Sequence, residues 1–124
     1  MKTILIVEDN EKNMKLARDV LQAKGYRTLE AVNGTDGVAL ALAHRPDLVL
    51  MDIQLPDING VEAFGRIRAQ PETAHIPVVA FTASVTPTDR NRITDAGFNG
   101  FISKPVNLKE FLETVRVALE QGGS

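Results

Sequence analysis

Four short stretches of the chain hold the residues best suited to chemistry. Glu8-Asp9 follows an apolar run, Asp52 closes another, Thr82 follows Phe81, and Lys104 precedes Pro105. Each lies just past a stretch that reads as a strand. In an open parallel α/β sheet, ligands bind at the carboxyl ends of the strands, so these residues are expected to share one rim. Three carboxylates gathered in a partly buried place repel one another. A hard divalent cation with oxygen ligands is the natural compensation, and Mg²⁺ suits a few carboxylates completed by waters and a phosphate. Lys104 would add a fixed positive charge and Thr82 a hydroxyl donor. A metal, a lysine and a hydroxyl around one carboxylate describe a phosphoryl-transfer site, where positioning and charge neutralisation do most of the work. Asp52, on what reads as the middle strand, is the central carboxylate and the expected acceptor.

The elements that must position these residues are legible from apolar periodicity. The stretch 3–7 (TILIV) is short, β-branched and apolar, the mark of a strand buried on both faces. A helix is expected from Glu11 to Lys24, with Gly25 as its terminator. Arg27 to Val32 reads as a second strand and Asn33-Gly34 as a turn. A helix through Val38 to Leu42 closes at His44-Arg45-Pro46. Asp47 to Asp52 reads as a third strand, broken by the turn formers of 55–60 and followed by a helix to about Ala69. Ile76 to Phe81, Pro87 to Ala96 and Gly100 to Ser103 give a strand, a polar helix ended by Gly97, and a strand. Asn107 with Glu110 three residues on forms a capping pair for a final helix striped by Leu108, Phe111, Leu112, Val115 and Leu119. Residues 1–121 are expected to form one domain, with a flexible tail over 122–124. Five strands alternating with five helices imply a parallel sheet, doubly wound, with right-handed crossovers.

Composition narrows the function classes. The 124 residues suffice for one core. A net charge of −2 offers no polyanion-binding surface, which argues against direct contact with nucleic acid. There is no cysteine, so thiolate metal sites and cysteine nucleophiles are excluded. No apolar run approaches the roughly 20 residues of a membrane span, and the first residues lack a signal-peptide pattern. A cytoplasmic protein is expected.

The quoted residues also carry a family resemblance. The stretches 7–10 (VEDN), 51–60 (MDIQLPDING), 81–83 (FTA) and 101–105 (FISKP), in that order, resemble the receiver domains of response regulators, the CheY-like family, from about Thr3 to Leu119. Among these the chain looks most like stand-alone, single-domain regulators. The resemblance implies strand order 2-1-3-4-5, the flavodoxin-like order. It implies that Asp52 takes phosphate from a phosphohistidine on a histidine kinase or phosphotransfer protein. Asp9, Asp52 and the backbone carbonyl of Gln54 would ligate Mg²⁺ directly, and Glu8 through a water. Thr82 and Lys104 would touch the phosphoryl oxygens. Phe101 would turn inward as the switch aromatic, without the hydroxyl that a tyrosine carries in many members. The Lys104-Pro105 bond would be cis. Gln54 and Ser84 would flank the approach of water and tune the phosphate's lifetime. A change at the face of the fourth helix, fifth strand and fifth helix would alter affinity for a downstream protein, with the chain a monomer or weak dimer.

Plainer readings stand beside these. Glu8 and Asp9 fit a solvated turn with Asp9 or Asn10 capping a helix. Thr82 and Lys104, each taken alone, fit a turn hydroxyl and a surface lysine. Phe101 fits a core residue, Met14 and Met51 core filler, and His44 and His75 the surface. An aspartate-nucleophile phosphatase of the haloacid dehalogenase type needs a second aspartate two residues after the first, where Gln54 stands. A flavodoxin-like FMN binder needs a hydroxyl- and glycine-rich loop after the first strand, where Glu8-Asp9-Asn10-Glu11 would repel phosphate. A receiver belonging to a hybrid kinase or larger regulator is the remaining alternative.

Overall fold

The computed structural model of the chain describes residues 2–82, 87–103 and 107–122. Ten elements alternate: β1 (Thr3–Val7), α1 (Glu11–Ala23), β2 (Arg27–Ala31), α2 (Gly34–His44), β3 (Leu48–Asp52), α3 (Gly60–Ala69), β4 (Val78–Thr82), α4 (Pro87–Ala96), β5 (Gly100–Ser103) and α5 (Leu108–Gly122). The five strands form one parallel sheet in the order β2-β1-β3-β4-β5, as the resemblance implied.

The strands are apolar throughout because both faces of the sheet are covered. Successive side chains point to opposite faces. Ile4, Ile6, Leu48, Leu50 and Phe81 pack with Phe111 and Val115 of α5 and with Met14, Ala17 and Leu21 of α1. Leu5, Val7, Val49 and Met51 pack on the other face with Ala41 of α2 and with Ala63, Phe64 and Ile67 of α3. β3 is buried at every position. Each such aliphatic residue contributes about 1.5–3 kcal/mol when fully removed from water. Phe81 meets Phe111 edge-to-face with ring centroids 6.0 Å apart. Met14 and Met51 are core residues, as expected.

Boundaries differ from the sequence reading in ways that concern the site. Asn33-Gly34 is more than a turn. Asn33 is the N-cap of α2, its side chain accepting from the Asp36 amide at 2.8 Å, and Gly34 is the first helical residue. Asp47 is not in β3; its carboxylate accepts from the Thr3 amide at 2.8 Å and ties the start of β1 to that of β3. Asn10 caps α1 by accepting from the Asn13 amide. Gly25 and Gly97 adopt φ of 88° and 102° just past α1 and α4, the left-handed terminators expected of glycine. α5 is helical to Gly122, which takes it into the stretch read as a tail. No helix among the described residues is long and apolar enough to cross a membrane.

Candidate functional site: an acidic rim at the strand ends

Strand register brings the carboxylates together. Val7 pairs with Met51, so the next residues, Glu8 and Asp52, stand level on neighbouring strands. β1 continues past its last ladder pair through the Glu8 amide, which donates to the Ala31 carbonyl at 2.9 Å. That bond fixes the backbone that carries Glu8 and Asp9. Glu8 is only 1% exposed and Asp52 4%, whereas Asp9 is open to solvent. Carboxylate oxygens of Glu8, Asp9 and Asp52 all lie within 4.8 Å of one another. The solvated-turn reading therefore fails for Glu8, which is buried and accepts from the Asn10 amide at 3.2 Å.

Asp52 ends β3 opposite Phe81, and Thr82 follows on β4, fully buried. The Asp52 carboxylate accepts from the Gln54 amide at 3.0 Å, which curls the chain sharply beyond the strand. The Ile53 carbonyl accepts from the Gly60 amide at 2.9 Å and closes the loop between β3 and α3. That closure requires glycine, because a Cβ at position 60 would stand 2.3 Å from the Asp52 carbonyl oxygen. Asn59 then caps α3 by accepting from the Glu62 amide at 2.8 Å.

Thr82 pairs with Ser103 across β4 and β5. Lys104, Pro105 and Ser84 lie outside the described residues. Phe101 is half-buried on β5, with the Arg90 guanidinium of α4 5.4 Å from its ring centroid. Those two residues line a groove of about 820 Å³ between α4 and α5, together with Ser103, Lys109, Glu113 and Thr114. Gln54 is exposed at the rim, beside a smaller cleft that Thr82 and Arg92 also line. His44 and His75 are remote from the acidic cluster in the fold, one at the end of α2 and the other before β4.

Sequence reading missed Asp57. Its carboxylate accepts from the Gly34 amide at 2.8 Å, the Thr35 amide at 3.0 Å and the Thr35 hydroxyl. The Thr35 hydroxyl, and with it the amides of Thr35, Ile58 and Gly34, hold this carboxyl well below the usual carboxylate range. Nothing near Asp57 in the sequence signals this, because the donors lie 22 and 23 residues away.

The donor set suits a hard cation. Three carboxylates within reach of one point, two of them buried, supply oxygen ligands only, and Mg²⁺ is held by few carboxylates with waters completing its shell.

Comparison with known proteins shows the family. Residues 4–116 match the response regulator receiver domain family. The polar-differentiation response regulator DivK of Brucella anthropi is 47% identical over 115 residues, which cover 93% of this chain and 94% of that protein. A response regulator structure from Chloroflexus aurantiacus superposes with a TM-score of 0.92 at 28% identity, covering 96% of this chain and 98% of that one. The receiver domain of the sensor histidine kinase PA1611 from Pseudomonas aeruginosa, solved with a magnesium ion coordinated in its active-site cleft, superposes with a TM-score of 0.87 at 34% identity over 99% of this chain and 98% of that one. By its sequence, its strand order and its acidic rim, the chain belongs to the response regulator receiver domain family.

Proposed function

We propose that this chain is a phosphoryl-accepting switch of two-component signalling, with Asp52 as the acceptor. In the transfer, a carboxylate oxygen of Asp52 forms a bond to phosphorus. The bond from phosphorus to the imidazole nitrogen of a donor phosphohistidine breaks, and that nitrogen takes up a proton. The donor is a histidine kinase or a histidine phosphotransfer protein. The observation that carries this reading is the convergence of Glu8, Asp9 and Asp52 at the sheet's carboxyl rim, with the carboxylate on the middle strand nine-tenths or more buried.

Asp9, Asp52 and the carbonyl of Gln54 would hold Mg²⁺ directly, with Glu8 acting through a water. The cation would neutralise the carboxylates and the incoming phosphate oxygens. Thr82, on the adjoining strand end, would donate its hydroxyl to one phosphoryl oxygen and Lys104 its ammonium to another. Phosphorylation would draw Thr82 towards Asp52 and let Phe101 swing inward from beneath Arg90. The α4–β5–α5 face would change with it, and so would affinity for a downstream protein. The chain is thus a switch that assists its own phosphorylation and dephosphorylation, and not an enzyme acting on a separate substrate. Gln54 and Ser84 would set how readily water reaches the acyl phosphate.

The 47% identity to DivK supports a response regulator of that kind; that it stands alone, in the cytoplasm, as a monomer or weak dimer, belongs to the proposal. The likeness to a receiver belonging to a sensor kinase supports the second reading, a receiver within a larger regulator. Acetyl phosphate with Mg²⁺, followed by intact-mass spectrometry, tests the proposal. One Mg²⁺-dependent phosphoryl adduct is expected on the wild type and none on Asp52→Asn. An adduct that persists on the variant would overturn Asp52 as acceptor.

A further inference from the structure

The loop between β3 and α3 carries Gln54, and its hydrogen bonds divide into two kinds. Three are local, made to the adjoining strand or helix: Gln54 amide to Asp52, Gly60 amide to Ile53, and Glu62 amide to Asn59. Such contacts shape the loop's two ends but leave its middle free to shift. The bonds to Asp57 are of the other kind. Both carboxylate oxygens are engaged by the first residues of α2, at Gly34 and Thr35. The next side chain, Ile58, packs so closely on Gly34 that a Cβ there would stand 2.4 Å from its Cγ1.

The donors are themselves held. Asn33 caps α2 beside them. A Cβ at Gly37, one turn further on, would meet Val7 at 2.7 Å, so α2 lies directly on the end of β1. β1 is the strand that delivers Glu8 and Asp9. Asp57 thus links the loop bearing one part of the acidic site to the helix resting against the other part. The two free amides of a helix start, with the positive end of its dipole, suit a carboxylate.

We infer that Asp57 is a positioning residue for Mg²⁺ binding: its clamp on the start of α2 pre-sets the β3–α3 loop, and with it the Gln54 carbonyl, relative to Asp9 and Asp52. Mg²⁺ demands near-octahedral geometry and tolerates little displacement of an oxygen ligand. A loop released from α2 has to be ordered at the moment of binding, and that ordering subtracts from affinity. The inference rests on the proposed metal role of Gln54 and adds a residue that touches neither metal nor phosphate.

The test compares wild type with Asp57→Ala, Asp57→Asn and Thr35→Val. Amide hydrogen exchange, measured without Mg²⁺, should quicken over 53–58 in Asp57→Ala and leave the strands protected as before. Calorimetric titration with MgCl₂ should show weaker binding by roughly tenfold, the low end for groups that orient metal ligands. Asp57→Asn keeps one acceptor oxygen and should fall between. Thr35→Val keeps both backbone donors and should lie nearest wild type. Three results would overturn the inference: unchanged loop exchange in Asp57→Ala, unchanged Mg²⁺ affinity despite a loosened loop, or faster exchange across all strands, which would make Asp57 a general stabiliser. A wild type that binds no Mg²⁺ would instead overturn the proposed function, and the exchange experiment would still read the clamp.

Discussion

Glycine-to-alanine substitution at two positions of α3 should have opposite effects, and the difference tests the geometry of the loop beside Asp52. Gly60 opens α3 with its Cα against the chain just past β3. An alanine Cβ there would stand 2.3 Å from the Asp52 carbonyl oxygen and 2.8 Å from the Ile53 Cα, both backbone atoms that cannot rotate aside. The loop must move, and overpacking of this kind costs about 1–3 kcal/mol. Gly65 is exposed in the interior of the same helix, and a Cβ there meets nothing within 4 Å. Alanine at that position should stabilise the protein by about 0.5–1 kcal/mol, through helix propensity and a less flexible unfolded chain. The two variants should therefore differ by about 1.5–4 kcal/mol, the sum of those opposite effects. Urea unfolding followed by far-UV circular dichroism reads this directly, with an unchanged slope showing that both variants unfold as the wild type does. Gly34→Ala should also destabilise, because a Cβ there would stand 2.4 Å from Cγ1 of the β-branched Ile58. Equal stability of Gly60→Ala and Gly65→Ala would refute the close approach of α3 to Asp52.

Other consequences follow from single contacts. Phe111→Ala removes a fully buried ring lying edge-on to Phe81 and should cost about 3–5 kcal/mol in urea unfolding. Asn59→Ala deletes the α3 cap and should cost about 1 kcal/mol. Asp57 gives a pH signature. Its folded pKa is depressed, so its contribution to stability is complete above the ordinary carboxylate pKa of about 4 and is lost as pH falls below it towards the folded value. Acid titration of the urea midpoint should fall more gently below that pH in Asp57→Asn than in wild type, and parallel curves would contradict the assignment.

Several elements were legible because their signal is local. The strands of a doubly wound sheet are covered on both faces, so β1, β3 and β4 show as apolar runs that need no partner to be recognised. The capping pair at Asn107 and Glu110 lies within one turn, and the Glu110 amide does donate to the Asn107 side chain at 3.1 Å. The glycines that end α1 and α4 are likewise read from position alone. Asn33 was misread as part of a turn because a cap and a turn use the same residue types. What separates them is whether the following amides point at the side chain, and that is a three-dimensional matter.

Sequence by itself determined that Glu8, Asp9, Asp52 and Thr82 fall just at or beyond strand ends, because a strand's apolar run stops where its polar chemistry begins. Tertiary structure alone decided how they differ. Glu8 is buried and Asp9 open, although the two are adjacent and their carboxylates lie within 4.8 Å of each other, because burial is set by what the fold lays over each side chain and not by position along the chain. It alone brought Asp57 to Gly34 and Thr35. A hydrogen bond across 22 residues leaves no trace in local spacing, since it depends on how α2 and the β3–α3 loop pack over the same end of the sheet.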